Sequence, residues 1–316
     1  MKLLSVLLIS VSMLVGTVQA QELRSRPIKI ITNQPVGANS DVLARKVADV
    51  LSVKLKTPVL IENRPGAAGL VALQAYLKEP ADGYTIYLGD LGNFVTMPLL
   101  YKKNDLVAQM KTLAPVWSNY WAVSTPPNIK NITELKSALK NKKSNYGSWG
   151  VGTSGHLCGL ELAQYFSTDA THIPYKEFSI WFSDIVNGTL TYSCTPVGTT
   201  EQYKNSGRLN WVAITADRRD PDHPEVPTIK ELTGHQIIAN NGWIAFFINK
   251  NTPESEQRYL SEKIKETLQV QEIKDFIKFA TGKPINMTNE EFDRYREKSI
   301  EDYKKTINNF NINTIN

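Results

Sequence analysis

The chain has 316 residues and a formal net charge of +5, from 36 basic and 31 acidic residues. The two signs are interspersed and form no basic stripe, so the composition argues against a nucleic-acid partner. The length exceeds that of an ordinary single domain, which favours two lobes. We expect a monomer.

The first 20 residues carry the three parts of an export signal. Lys2 supplies a positive start, an apolar run covers 3–16, and Val18-Gln19-Ala20 places small residues before a cleavage point. The alternative is a membrane anchor, but a spanning helix needs roughly 20 apolar residues and this run is shorter. We therefore expect a signal peptide over 1–20, cleavage near Ala20-Gln21, and release into the periplasm.

Strand and helix patterns alternate from residue 28 onwards. A helical pattern that Asn39 or Ser40 would cap follows the first strand and ends near Leu55. A second helix is predicted near 69–79. The strands predicted in this part are 28–32, 59–61 and 84–88.

The same alternation resumes after about residue 124. Strands are predicted over 145–148, 171–174, 190–194, 210–215 and 242–248. Helices are predicted over 132–141, 155–167 and 178–187, and then near 253–268, 271–280 and 289–308. This order predicts an α/β fold in which each lobe is a mostly parallel sheet flanked by helices.

The lobes are expected to exchange segments. The first lobe would hold 21–124 with about 242–288, because the strand near 242–248 could return to it. The second lobe would hold 125–241 with about 289–316.

The loop over 34–41 lies between the first strand and its helix, where open α/β sheets bind ligands. Gly37 and Ala38 leave the backbone open, and the free N–H groups at the helix start form an anion site. Asp41 would repel an anion, so we expect it to fasten the loop by accepting N–H bonds. A simple capped turn is the alternative. The candidate ligand-binding residues here are Val36, Gly37, Ala38, Asn39 and Asp41.

A second loop, over 148–156, joins another strand to a helix. Its glycines satisfy G-x-G-x-x-G, but the preceding strand is polar and an acidic residue at the right distance is lacking, so a dinucleotide site is disfavoured. Glycines, hydroxyls and a helix start still suit a carboxylate. Here the candidates are Ser148, Trp149, Gly150, Thr153 and His156.

Enzyme signatures are missing from the sequence. There is no nucleophile elbow around Ser148 or Ser154, and the four histidines lack a zinc-binding spacing. His156 could act as a base, but its place in the first helical turn favours a structural or ligand hydrogen bond. We expect no catalytic residue, no metal and no cofactor.

The chain has two cysteines, Cys158 and Cys194. In an oxidising compartment they could form a disulfide or stay as two buried thiols, and their spacing does not decide between these outcomes.

An ordered series of segments resembles the substrate-binding proteins of the tripartite tricarboxylate transporter system, the Bug-type receptors. The most specific segment is Glu62-Asn63-Arg64-Pro65-Gly66-Ala67, followed by Asp82-Gly83-Tyr84-Thr85. The likeness extends over nearly the whole mature chain. Its other segments are 26–30, 37–45, 152–157, 172–176, 206–209 and 224–228.

The resemblance implies a two-lobed periplasmic binding protein of the Venus-flytrap type that closes on a carboxylate. Main-chain N–H groups and helix dipoles would hold the ligand. Gly92 and Asn93 match a segment of the pocket rim, and Thr195 follows a strand whose end faces the cleft in relatives. Some relatives carry cysteines matching Cys158 and Cys194, which favours a disulfide.

Several positions depart from the family pattern. Ala38 replaces a second glycine, Glu177 replaces a glycine after Pro-Tyr-Lys, and Met97-Pro98 replaces Asn-Pro. Trp149 stands where a small residue is usual, so it would shrink the pocket or stack on a flat ligand. These changes bear on which ligand is bound more than on the fold.

The sequence is compatible with three functions to different degrees. The first is a receptor that delivers a small carboxylate to the membrane subunits of a tripartite tricarboxylate-type transporter. The second is a sensor that passes a ligand signal to a membrane kinase. The third is a secreted hydrolase, for which no nucleophile–base pair is found.

Overall fold

The computed structural model describes residues 26–34, 36–140, 143–235, 237, 241–280 and 282–309. The predicted signal peptide and its cleavage point lie outside the described residues. Within the described part, no helix is both long and apolar enough to cross a membrane.

The first part of the fold follows the predicted alternation. The helix α1 (Asn39–Leu55) buries Leu43, Val47 and Leu51 against Ile28 and Ile30 of the first strand, which explains the apolar face that the sequence predicts. The first three strands are parallel, with the first in the middle. The elements are β1 (Ile28–Thr32), α1 (Asn39–Leu55), β2 (Val59–Asn63), a 3-10 turn (Ala67–Gly69), α2 (Leu70–Tyr76) and β3 (Thr85–Asp90).

A long strand that the sequence pattern did not predict connects the two halves of the sheet. Three short helical segments precede it: a π-helix (Gly92–Thr96), α3 (Met97–Leu100) and α4 (Asn104–Val107). The strand β4 (Met110–Thr125) pairs with a later strand up to Tyr120, and from Trp121 onwards it pairs with strands of the second half.

The second half repeats the strand–helix alternation, with two helices that were not predicted, α8 (Val197–Asn205) and α9 (Ile229–Thr233). The strands β5, β6 and β7 are parallel, as expected, and β7 and β8 lie antiparallel to β4. The elements are α5 (Ile132–Leu139), β5 (Asn145–Ser148), α6 (Ser154–Tyr165), β6 (Thr171–Pro174), α7 (Phe178–Val186), β7 (Tyr192–Pro196), α8 (Val197–Asn205), β8 (Asn210–Ile214) and α9 (Ile229–Thr233).

The chain then returns to the first half, as predicted, through a strand that lies antiparallel between β3 and β4. The remaining elements are β9 (Asn241–Asn249), α10 (Glu254–Leu268), α11 (Gln271–Phe279), β10 (Lys283–Pro284) and α12 (Asn289–Asn309). The sheet order is β2-β1-β3-β9-β4-β7-β5-β6, with β8 and β10 also paired to β4. The sheet is therefore mixed: β1, β2 and β3 run parallel, as do β5, β6 and β7, and every pairing of β4 and β9 is antiparallel.

Helices cover both faces of the first half. On one face α1, α10 and α11 pack on the even-numbered apolar residues of β9, such as Phe246. On the other face Phe292 of α12 packs edge-on against Trp243, and the Thr112 hydroxyl donates to Asp293 at 2.6 Å. The start of α12 thus lies against β4 and β9.

Cys158 and Cys194 form a disulfide, which confirms the pairing that the family resemblance favours. It joins α6 to β7, with 6.1 Å between the two Cα atoms, and both residues are fully buried. The bond therefore ties the helix that begins at the second loop to the sheet.

Removing this bond should lower the free energy of unfolding by about 3 to 4 kcal/mol, because the open chain gains the entropy of an uncrosslinked loop. Urea unfolding of the Cys158→Ala/Cys194→Ala double variant measures the loss. Adding a thiol reductant to that variant is the control and should change nothing. A double variant as stable as the oxidised wild type would contradict the expectation.

Candidate functional site

The first loop presents an uncapped helix start at the carboxyl edge of β1. Gly37 has a φ of +84°, a left-handed turn that glycine adopts without strain, and Ala38 is extended with no side chain capping α1. Among the described residues, none accepts a hydrogen bond from the backbone N–H of Ala38, Asn39 or Ser40. These donors and the helix dipole make the loop attractive to an anion. Val36 stands at its tip, 74% exposed.

Asp41, in the first turn of α1, anchors this loop. It is 1% exposed, and its carboxylate accepts from the Gly37 N–H at 2.8 Å, from Arg45 at 3.0 and 3.1 Å, and from Asn63 at 2.7 Å. Burial acts to raise the pKa of Asp41, but these hydrogen bonds, led by that of Arg45, outweigh it and lower the pKa. The anchoring role expected for Asp41 agrees with these contacts.

Asn93 and Gly92 lie at the carboxyl end of β3. The Asn93 side chain is fully buried: it accepts from the Tyr87 hydroxyl at 3.1 Å and donates to the Ala68 carbonyl at 2.9 Å. It therefore holds the 3-10 turn against β3 and has no face open to a ligand. Gly92 lies beside the carboxylate of Asp90, and a Cβ at Gly92 would come within 3.0 Å of that group.

The second loop is held by a compact hydrogen-bond network. The buried Ser148 hydroxyl lies 2.7 Å from His172 Nε2 and accepts from the Gly150 N–H at 3.1 Å. The Thr153 hydroxyl donates to the Gly150 carbonyl at 2.8 Å and accepts from the His156 N–H at 3.3 Å, which caps α6. Four of the predicted site residues are thus brought together by direct contacts.

His156 serves this loop as an acceptor. The Gly152 N–H donates to His156 Nδ1 at 3.1 Å, so Nδ1 carries no proton and the ring is neutral. Burial, with the nearby His172, lowers the pKa of His156 to about 4, and burial lowers the pKa of His172 to about 4 as well. This geometry supports a structural role for His156 and leaves its Nδ1 unable to act as a base.

The two histidines predict a stability loss in mild acid. Since their folded-state pKa values lie below the unfolded value near 6.5, stability is complete above that value and falls as the pH drops towards 4. The loss should be on the order of 3 kcal/mol. Urea midpoints at pH 7.5 and 4.5 measure it.

A His156→Asn/His172→Gln double variant is the control for this pH dependence, because its amides keep hydrogen-bonding atoms but do not titrate. Its midpoint should change less than that of the wild type between the two pH values. Equal changes in both proteins would show that other groups cause the loss.

Trp149 leans away from the loop onto α7. Its ring centre lies 5.0 Å from that of Trp181 in an edge-to-face contact and 6.2 Å from that of Phe178, and the residue stays 40% exposed. The indole is therefore partly covered by α7, and the residue that carries it is the neighbour of Gly150 in the loop.

Thr195 lies at the end of β7, close to the second loop. Its hydroxyl is fully buried, 2.6 Å from the Ser124 hydroxyl and 3.0 Å from that of Thr200. The neighbouring Cys194 carbonyl would lie 3.0 Å from a Cβ at Gly155. Through this chain of hydroxyls, Thr195 stabilises the end of β7, on which the first turn of α6 packs.

The candidates form two groups. The first contains Gly37 and Asp41, and a bond from Gln34 to Asp90 connects it to Gly92 and Asn93. The second contains the loop over 148–156, next to Thr195. Within the described part of the chain, no hydrogen bond joins the two groups, although a Cβ at Gly152 would strike Leu100 of α3.

Sequence reasoning missed the partners that shape both loops. His172, Asn63 and Asp90 were not among the candidates, although His172 and Asn63 lie in segments that carry the family resemblance. Asn63 and Asp90 are the last residues of β2 and β3, and this position was the available signal for these two.

Comparisons with known proteins agree with this architecture. A family model described as the tripartite tricarboxylate transporter family receptor matches residues 43–312. Protein BugT of Bordetella pertussis is 29% identical over 261 residues, covering 80% of this chain and 79% of BugT.

Two solved structures have the same fold. One is Rhodopseudomonas palustris Rpa4515 with adipate, 21% identical, with a TM-score of 0.80 and coverage of 93% of this chain and 100% of that one. The other is MatC from R. palustris with bound malate, 19% identical, with a TM-score of 0.75 and coverage of 90% and 99%. Because the family model matches most of its length, this chain belongs to the tripartite tricarboxylate transporter family of receptors, the Bug-type periplasmic solute-binding proteins.

Proposed function

We propose that this receptor binds a small carboxylate between its two loops and delivers it to the membrane subunits of a tripartite tricarboxylate-type transporter. The observation that carries the proposal is the first loop, where α1 begins without a side-chain cap and, among the described residues, the N–H groups of Ala38, Asn39 and Ser40 have no acceptor. The fold neighbours with adipate and malate support a carboxylate as the ligand class.

The second loop would supply further donors. Among the described residues, none accepts from the backbone N–H of Trp149, Val151 or Ser154. A charge-assisted hydrogen bond contributes roughly 1.5–3 kcal/mol, so three or four would provide the roughly 8 kcal/mol of micromolar binding. On this account Val36, Gly150 and Trp149 line the ligand, while Asp41, Asn93, Thr153, His156 and Thr195 shape the backbone around it.

Binding would close the two lobes on each other. We assign 21–124 with about 242–288 to one lobe, and 125–241 with about 289–316 to the other. The change of β4 partners at Tyr120 and Trp121 supports a hinge at that point. The contacts of α12 with β4 and β9 would make α12 a bridge between the lobes.

We also propose the compartment in which the protein acts and its oligomeric state. Residues 1–20 would direct export and be removed near Ala20-Gln21, and the mature receptor would act in the periplasm as a monomer. Hydrolysis is not favoured, because the Ser148 hydroxyl next to His172 is fully buried and accepts from the Gly150 N–H, and His156 Nδ1 is already engaged by the Gly152 N–H.

A thermal-shift screen of mono-, di- and tricarboxylates tests the proposal when run beside an ester-hydrolysis assay on the same preparation. We expect at least one acid to raise the melting temperature and no ester to be turned over. Failure of every acid to stabilise the protein, or hydrolysis that exceeds the rate in a boiled sample, would contradict it.

A further inference from the structure

Asp90 is a carboxyl group at the edge where the first loop begins. It is the last residue of β3 and is partly buried next to the end of β1. One oxygen accepts from Gln34 Nε2 at 2.6 Å, and the other accepts from the Asn93 N–H at 2.9 Å. Gln34 opens the loop that continues to Gly37, so Asp90 lies beside the start of the loop that carries the proposed carboxylate site.

The carboxylates of Asp41 and Asp90 lie at the same edge of the sheet but differ in their cationic partners. Asp41 is paired with Arg45 at 3.0 Å. Within the part of the chain that the structure describes, no lysine or arginine forms an ion pair with Asp90. Loss of hydration raises the pKa of Asp90, although hydrogen bonds from Asn93, Gln34 and Asn33 oppose the rise. A carboxylate in this position is stabilised by a proton or by a positive group that arrives from outside.

We propose that Asp90 determines ligand specificity by accepting a hydrogen bond from a donor that the ligand carries beside its carboxylate, an ammonium group above all and a hydroxyl group second. The inference rests on the proposed function. The first-loop N–H groups attract the ligand carboxylate, while Asp90 repels a second carboxylate placed next to it. Amino acids and hydroxy acids are therefore preferred over plain dicarboxylates of the same length.

Calorimetric titration with succinate, malate and aspartate tests this, since these three acids share a carbon skeleton and differ in one group. The wild type should bind aspartate at least tenfold more tightly than succinate, with malate between them. In Asp90→Asn the ratio between aspartate and succinate should fall below about threefold. Asp49→Asn, on an exposed turn of α1, is the matched control and should keep the wild-type order.

The possible results separate the two proposals. Tighter binding of succinate than of aspartate by the wild type would overturn the inference even if Asp90→Asn did not fold. An unchanged order in Asp90→Asn, or in Asp90→Ser as the second variant, would also overturn it and would leave the receptor function standing. If no carboxylate bound the wild type at all, the proposed function would fall and the inference with it.

Discussion

Gly150→Asp should weaken carboxylate binding about 100-fold or more while the protein still folds. Gly150 has a φ of +127° with open space where a Cβ would lie, so the new side chain would point into solvent or into the cleft without a clash. A negative charge within about 4 Å of the bound carboxylate costs roughly 4 kcal/mol near a protein surface. Calorimetric titration with the best acid from the screen measures the loss.

Two control variants separate charge from backbone strain. Gly150→Ala introduces the same left-handed strain without charge and should weaken binding far less than Gly150→Asp. Gly207→Asp places an equal charge at another exposed, left-handed glycine with free space, in the turn after α8, and should bind as the wild type does. Equal affinities in Gly150→Asp and Gly150→Ala would exclude an anion at this loop.

Asp41→Ala should weaken binding by about tenfold and lower the free energy of unfolding by about 1–3 kcal/mol. The variant leaves the Gly37 N–H, Asn63 and Arg45 without their shared acceptor, so the loop that presents the N–H donors loses its anchor. Removing the charge alone would favour an anionic ligand. We expect disorder of the loop to outweigh this gain, because Asp41 is already neutralised by Arg45.

Asp49→Ala, two turns further along α1 and exposed, is the control for charge on the same helix. It should keep both the urea midpoint and the affinity of the wild type. If Asp41→Ala bound more tightly than the wild type, repulsion between Asp41 and the ligand would be the dominant effect, and the anchoring role would be wrong.

Local patterns predicted most of the fold because each one depends on neighbouring residues. The apolar face of α1, the β-rich run over 28–32 and the short polar strand over 145–148 required only the sequence within one element. The family resemblance added the disulfide, which spacing alone left open.

The strand β4 escaped prediction for a physical reason. Pro115 interrupts its pattern, and shifts in its pairing with β9 flank that proline. Its partner β9 begins more than a hundred residues later, and its far end changes partners to β7 and β8. Such a strand is stabilised by long-range pairing, which no window of local sequence contains.

The sequence predicted which loops form the site, but it did not predict the hydrogen-bond networks that hold these loops. The loop patterns located Gly37, Ser148 and His156, yet some of the side chains that hold these loops come from other strands. His172 contacts Ser148 across the parallel register of β5 and β6, and Gln34 contacts Asp90 across β1 and β3. The register between strands depends on the tertiary structure. The hydrogen bonds that Asn93 and Thr195 form inside the fold therefore could not be derived from their residue types.

The central claim is that two backbone loops hold a carboxylate. A crystal structure of the receptor with the acid that stabilises it most tests this directly. We expect a ligand carboxylate within hydrogen-bond distance of backbone nitrogens over 37–40, with the loop over 148–154 closed onto the same molecule. An acid bound elsewhere, or held by a lysine or arginine side chain with both loops empty, would contradict it.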